Sequence, residues 1–343
     1  MNRGAKKKTQ NENAFCYFSI NVKSLILASN KTNIAMRFVS FFPFTILLLS
    51  LSAQTAHSQK FSLHVNIINQ PDNPVILESV SGDNYKKLDS ATVTNREVSF
   101  QFPVNAHTGV YRLIFGETGY ARVMNSDPQM LDFIFNNENI DIKTDFDNPA
   151  TSAVVVHSKE NQVYFDFRKR LAEYQNALTL MEQELDSYWQ KGDSAKANQL
   201  SNEFNMIQLE WDLKVAQTVQ QNDDLYASKL IAFARTPQKD GFLSPAERKE
   251  TFRDDFLESV DFTDESLIYS SVLTDKIFEY LVLFNREDYT QDQRTKVYIK
   301  AVDEILSHSK INPKINNFVT AYLIHGFEVL GMKKVTDHIR AKS

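Results

Sequence analysis

The feature that most restricts this fold is a change of hydrophobic period near His157. From Lys60 up to that point, apolar residues recur at every second position. Phe61, Leu63, Val65 and Ile67 alternate with Ser62, His64 and Asn66, and Val98, Phe100 and Phe102 alternate with Ser99 and Gln101. Tyr111, Leu113 and Phe115 repeat the pattern, as do Leu131, Phe133 and Phe135. After a polar "NNEN" turn come Ile140 and Ile142. A strand sends successive side chains to opposite faces, so each run buries one face and wets the other. Short runs punctuated by Pro71, Pro74, Gly82, Pro103, Gly109 and Pro149 predict an antiparallel β-sandwich of about seven strands over residues 59–157.

Beyond His157 the period changes. Tyr164, Phe167, Leu171, Tyr174, Leu178, Met181, Leu185 and Tyr188 fall at alternating spacings of three and four. That is a heptad seam held for about 25 residues, roughly 37 Å of helix. Gly192 can end this helix, and Asp193 or Ser194 can cap the next. The second helix carries Ala197, Leu200, Phe204, Ile207 and Trp211 at the same spacing. Two matched seams joined by a short loop predict an antiparallel helical hairpin over about residues 160–221. Its aromatic residues are read as core.

Later helix starts are marked as well. Ser244-Pro245-Ala246-Glu247 combines an N-cap, a first-turn proline and a capping-box acid; Thr290 with Gln293 makes a second box. Asn312-Pro313 starts another helix, and Gly331 interrupts the last. Residues 158–343 are therefore expected to form an all-helical domain of about six or seven helices, packed against the sandwich or standing beyond it. The fold class expected is α+β as separate domains.

The compartment is read from the segment ahead of both. From Phe38 to Leu51 the chain is uncharged and rich in Phe, Ile and Leu; Arg37 precedes it, and Ala56-His57-Ser58 follows. That is the layout of a secretory signal peptide, and the run is shorter than the roughly 20 residues of a membrane span. Residues 36–58 are read as a signal peptide cleaved before Gln59, leaving no stable membrane anchor. Residues 1–35 are read as an over-extended leader, with translation starting at Met36. The expected destination is export, to the periplasm of a Gram-negative bacterium.

Composition then narrows the chemistry. Residues 59–343 carry 31 Lys and Arg against 42 Asp and Glu, a net −11. That balance argues against nucleic acid and anionic lipid as partners, because both demand basic patches. The only cysteine, Cys16, lies in the leader. Residues 59–343 therefore have no thiolate for redox chemistry or metal binding.

Site motifs are absent too. None of the seven histidines falls in H-E-x-x-H. His64 is placed on the polar face of its strand, and His325, in an apolar helix, is read as a hydrogen-bonded core residue. Asp145-Phe146-Asp147-Asn148 lacks the glycine and glutamate of a calcium loop. Gly116-Glu117-Thr118-Gly119 is read as a turn between strands, since no phosphate-loop lysine follows it. There is no G-x-S-x-G. No catalytic, cofactor-binding or metal residue is assigned, no cofactor is expected, and the chain is read as not an enzyme.

Four stretches carry a family likeness: "FNNENIDIKTD" (135–145), "VVVHSKENQVYFDF" (154–167), "DFTDESLIYSSVLTDKIFEYL" (261–281) and "GFEVLGMKKVTDHI" (326–339). Together they resemble the N-terminal part of TlpA-like periplasmic thiol–disulfide interchange proteins that open with a β-sandwich domain of unknown function. The resemblance implies a sandwich, then a helical region, then a thioredoxin-like domain with Cys-x-x-Cys. That last domain and its motif are missing from this sequence, so no catalytic residue carries over. Three functions stay open. The first is an exported, non-enzymatic accessory module that docks a protein partner, with a thioredoxin-like redox protein as one such partner. The second is the accessory half of a split or truncated thiol–disulfide oxidoreductase. The third is a ligand-binding β-sandwich protein.

Overall fold

The alternation along the first run becomes strand β1 (Ser62–Ile68), in which Leu63, Val65 and Ile67 are fully buried while the residues between them keep contact with solvent. In this computed structural model residues 60–124 and 126–342 are described. The residues read as leader and signal peptide, the expected cleavage point before Gln59, and Cys16 lie outside them.

Seven further strands follow among the described residues: β2 (Val75–Ser81), β3 (Asn84–Ala91), β4 (Glu97–Gln101), β5 (Gly109–Gly116), β6 (Gln129–Phe135), β7 (Ile140–Asp145) and β8 (Val154–His157). They form two four-stranded sheets, ordered β4-β1-β7-β8 and β3-β2-β5-β6. Two short helices, α1 (Gly119–Met124) and α2 (Pro149–Ser152), sit in the connections. The Gly116–Gly119 turn thus leads into α1 before β6 begins.

Most neighbouring strands are antiparallel, but β1 and β7 pair in parallel, from Leu63↔Ile140 to Ile68↔Asp145. The expected antiparallel-rich sandwich forms, with this one parallel pair among its described strands. The "NNEN" turn joins β6 in one sheet to β7 in the other. Only a hairpin within one sheet forces adjacent strands to run oppositely.

Between the sheets lies an aromatic-rich core. Phe102 stacks on Phe135 at 3.9 Å, and Tyr111 meets both edge-on. The second sheet is covered on its other face as well. Val80, Val110 and Ile134 are buried there within the core of the helical region. Of the two arrangements left open, the helices pack against the sandwich.

The helical region begins with α3 (Lys159–Lys191) and α4 (Ser194–Gln221), the expected hairpin. Gly192 ends α3 with φ +72, a left-handed conformation that costs glycine little. Asp193 caps α4 by accepting from the Lys196 amide at 3.1 Å. Leu185, Ala197, Leu200 and Phe204 are buried between the two helices, with Leu178 and Met181 half-buried beside them. Arg248, almost fully buried, ties the hairpin down by donating to Asp186 at 2.8 Å and to the Leu243 carbonyl at 3.1 Å.

Six more helices follow: α5 (Tyr226–Phe233), α6 (Pro245–Asp255), α7 (Val272–Val282), α8 (Gln291–Ser309), α9 (Pro313–Val329) and α10 (Lys333–Lys342). Ser244 and Thr290 form complete capping boxes with Glu247 and Gln293, and Asn312 caps α9. Eight helices among the described residues of this region exceed the six or seven expected. The helices α5 and α7 are short and buried on most sides, and neither begins with a side-chain cap, so no start signal marks them in the sequence.

Two residues of the first α3 turn hold the regions together. Asn161 bonds to the backbone of Ile134 in β6. Glu160 is buried and accepts from the amides of Tyr226 and Ala227 at 2.9 and 2.7 Å, capping α5 with a negative charge where that helix exposes its first N–H groups. The β2–β3 turn also reaches the helices: the Gly82 amide donates to the Ser270 carbonyl at 2.9 Å.

Candidate functional site: a trough between the sandwich and the helices

Where the outer face of the second sheet meets α3 and α7, packing leaves a polar cavity of about 350 Å³. Its sandwich wall comes from Asp83 in the β2–β3 turn, Tyr85 on β3, Arg112 on β5 and Asp132 on β6. Tyr164 and Arg168 enter from α3, and Ser271, Val272 and Asp275 from the start of α7. Four carboxylates, those of Asp83, Asp127, Asp132 and Asp275, face two guanidiniums, those of Arg112 and Arg168.

Strand pairing explains the first contact. Arg112 lies opposite Asp132 in the β5–β6 register, and its guanidinium donates two bonds to that carboxylate, at 2.5 and 2.7 Å. Tyr85 lies under the same guanidinium, 4.3 Å from its ring centre. Burial opposes the charge on Arg112, but the Asp132 carboxylate outweighs it and holds the guanidinium above its ordinary value.

Asp275 is perturbed in the other direction. It keeps a solvent-exposed edge, yet it sits low in the trough. Desolvation there, with Asp83, Glu279 and Asp132 nearby, pushes its carboxyl up to about 6, against the bond Ser271 Oγ donates to it at 2.7 Å.

A second cavity of about 260 Å³ adjoins, and Val272 and Asp275 line both. Its wall is aromatic. Tyr174 and Trp211 stack at 4.5 Å with planes 7° apart, and Phe233 and Phe252 also line it. Two lysines border it. Lys239 pairs with Glu182 at 2.7 Å, and Lys276, nearly buried, pairs with Glu279 at 3.2 Å. Burial pushes the Tyr174 hydroxyl up to about 12, so it stays protonated and neutral at neutral pH.

The combined trough is suited to binding. One end is acidic, with four carboxylates against two guanidiniums, and the other presents ring faces to a flat or apolar group. Ser271 is bonded to a carboxylate with no imidazole among the lining residues. Among the described residues no group of three His, Cys, Asp or Glu side chains is placed to hold a metal ion. No described helix is long and apolar enough to cross a membrane.

The residues weighed in the sequence fall elsewhere. His64, half-exposed on the outer face of β1, contacts Ser99 at 2.9 Å and pairs with Glu97. Asp145 accepts from the Asn69 side chain and the Asp147 amide, which accounts for its position without an ion. His325 is exposed rather than in the core. Leu323, Gly326 and Phe327 face inward, and residue 325 lies on the opposite side of the helical turn. Tyr174 and Trp211, read as core, prove half-buried and line the trough.

None of the trough residues is assigned to a site by the sequence; Tyr164, Tyr174 and Trp211 are read there only as seam positions. One signal pointed to their neighbourhood: Val110-Tyr111-Arg112-Leu113 and Phe133-Ile134-Phe135 break strict alternation. Runs of that kind mark strands covered on both faces, and an arginine within one needs a buried partner.

Residues 61–164 match the family model described as a domain of unknown function, DUF4369. No curated protein and no solved structure matches the chain. The matched stretch takes in all eight described strands and the first turn of α3, so the likeness covers the sandwich together with its Glu160–Asn161 anchor.

Proposed function

We propose that this chain is an exported, non-enzymatic module that docks a protein partner, and that the trough receives an extended segment of that partner. The observation carrying this reading is the position of Val272 and Asp275 on both cavities. One short segment can therefore set a basic side chain among the carboxylates and an apolar one against Tyr174 and Trp211. The lack of thiols in residues 59–343 is consistent with a role in binding rather than redox turnover.

A selection of random peptides displayed on phage against the full chain tests it. Enriched peptides are expected to carry Arg or Lys within a few residues of an aromatic side chain. Their binding should weaken in Asp83→Lys and in Trp211→Leu. Enrichment without that pairing, or binding indifferent to both substitutions, overturns the trough as the receptor.

A thioredoxin-like redox protein of the periplasm is the partner class favoured by the likeness to TlpA-like proteins in residues 135–145, 154–167, 261–281 and 326–339. On this reading the chain assists a redox centre carried by its partner. Purified protein alone should leave insulin disulfides intact; reduction above background would refute a non-enzymatic role. Export is tested by mass spectrometry of the secreted protein, which should begin at Gln59.

A further inference from the structure

Besides its inner seam, α4 carries a second one. Met206, Leu209 and Leu213 are 53%, 44% and 62% exposed, on the side of the helix away from Phe204. Their spacing of three and four continues to Ala216, also exposed. Such spacing is a heptad pattern, with Met206 and Leu213 at a and Leu209 and Ala216 at d. The inner seam packs on α3 through Ala197, Leu200 and Phe204. The outer one faces solvent.

The borders of this outer seam are mostly acidic. Glu203 and Glu210 occupy e positions and Asp212 a g position, with Lys214 as the cation alongside. Charges at e and g select the helix that pairs with a seam. A second copy fits poorly, since antiparallel pairing centred on Leu209 sets Glu210 against its own mate.

We propose that this outer face of α4 docks an amphipathic helix of a protein partner, with aliphatic residues at its a and d positions and Lys or Arg beside them. The site is separate from the trough, because Trp211 projects from the other side of α4. It therefore stands or falls independently of the trough reading.

The test measures fluorescence anisotropy of a labelled model helix of about three heptads, with Leu at a and d and Lys at e and g. Saturable binding to the full chain is expected. It should weaken at least about tenfold for Leu213→Asp, and similarly for a peptide with Glu at e and g. A shuffled peptide of the same composition should not bind, and Asp83→Lys in the trough should change nothing. Circular dichroism of Leu213→Asp should show an intact fold, as expected for so exposed a position.

Equal binding of the shuffled peptide, or binding unaffected by Leu213→Asp, overturns the proposal. Dimerisation in sedimentation equilibrium that Leu213→Asp abolishes overturns it too, and assigns the face to a second copy.

Discussion

The side chain of Asn161 closes two hydrogen bonds with the backbone of Ile134, its Oδ1 accepting from the amide and its Nδ2 donating to the carbonyl, both at 2.7 Å. The strand β6 is an edge of its sheet. At this point the carboxamide takes the place of a neighbouring strand, and it does so from the first turn of a helix. Replacing Asn161 by Leu would leave both backbone groups buried and unpaired. The expected loss is about 2–4 kcal/mol. Urea unfolding measures it, and an unchanged midpoint would show that the bonds are not needed.

Close approach at Gly109 leads to a second expectation. A Cβ there would lie 2.6 Å from the Tyr269 carbonyl oxygen and 2.7 Å from the Tyr269 Cβ. Neither neighbour is the far end of a flexible side chain, so the strand and the helical region must separate locally. Gly109→Ala should destabilise by about 1–3 kcal/mol. Thermal melting of the variant beside wild type checks this.

The hairpin seam predicts graded losses. Phe204 is fully buried, whereas Leu178 is half-buried beside it. Phe204→Ala should cost about 3–5 kcal/mol, and Leu178→Ala less than the 2–5 kcal/mol typical of a fully buried leucine. An unchanged melting temperature in both would mean that the inner seam does not hold the hairpin.

Asp275 predicts a pH dependence. Its carboxyl is raised to about 6 from an ordinary 3.8, so the folded chain binds this proton more tightly than the unfolded one. Protonation therefore favours the folded state. Stability from this group should rise as pH falls from neutral through about 6, and level off below 3.8. Asp264 and Asp303, held low by Lys229 and Lys342 among their partners, act in the opposite sense at lower pH. Comparing wild type with Asp275→Asn isolates the effect. The variant should be the more stable near pH 7.5, with the gap shrinking toward pH 5, and a constant gap would contradict the assignment.

Elements written in local patterns were legible. The Ser244–Glu247 and Thr290–Gln293 boxes each need only four residues, and both form. The alternation of Leu63, Val65 and Ile67 and the seam from Leu178 to Leu185 are likewise local periodicities that burial bears out. The parallel β1–β7 pair is not local, for nothing in Leu63 or Ile140 specifies the direction of the other. The trough was equally out of reach. Asp83, Asp132 and Asp275 lie on a turn, a strand and a helix far apart in sequence. Each taken alone reads as an ordinary surface acid. Their proximity, and the raised carboxyl of Asp275, arise only when the helices cover the second sheet.

The parallel pairing also orders events in time. Strand β1 lies between β4 and β7, and the Ser62 amide is held by Asn139, 77 residues further along. The first described strand thus cannot complete its sheet until nearly all of the sandwich sequence is present. Closing so long a loop precedes the contacts that repay it, which slows folding. Until β7 is made, β1 has β4 on one side and an unpaired edge on the other, so this sheet is the last part of the sandwich to close.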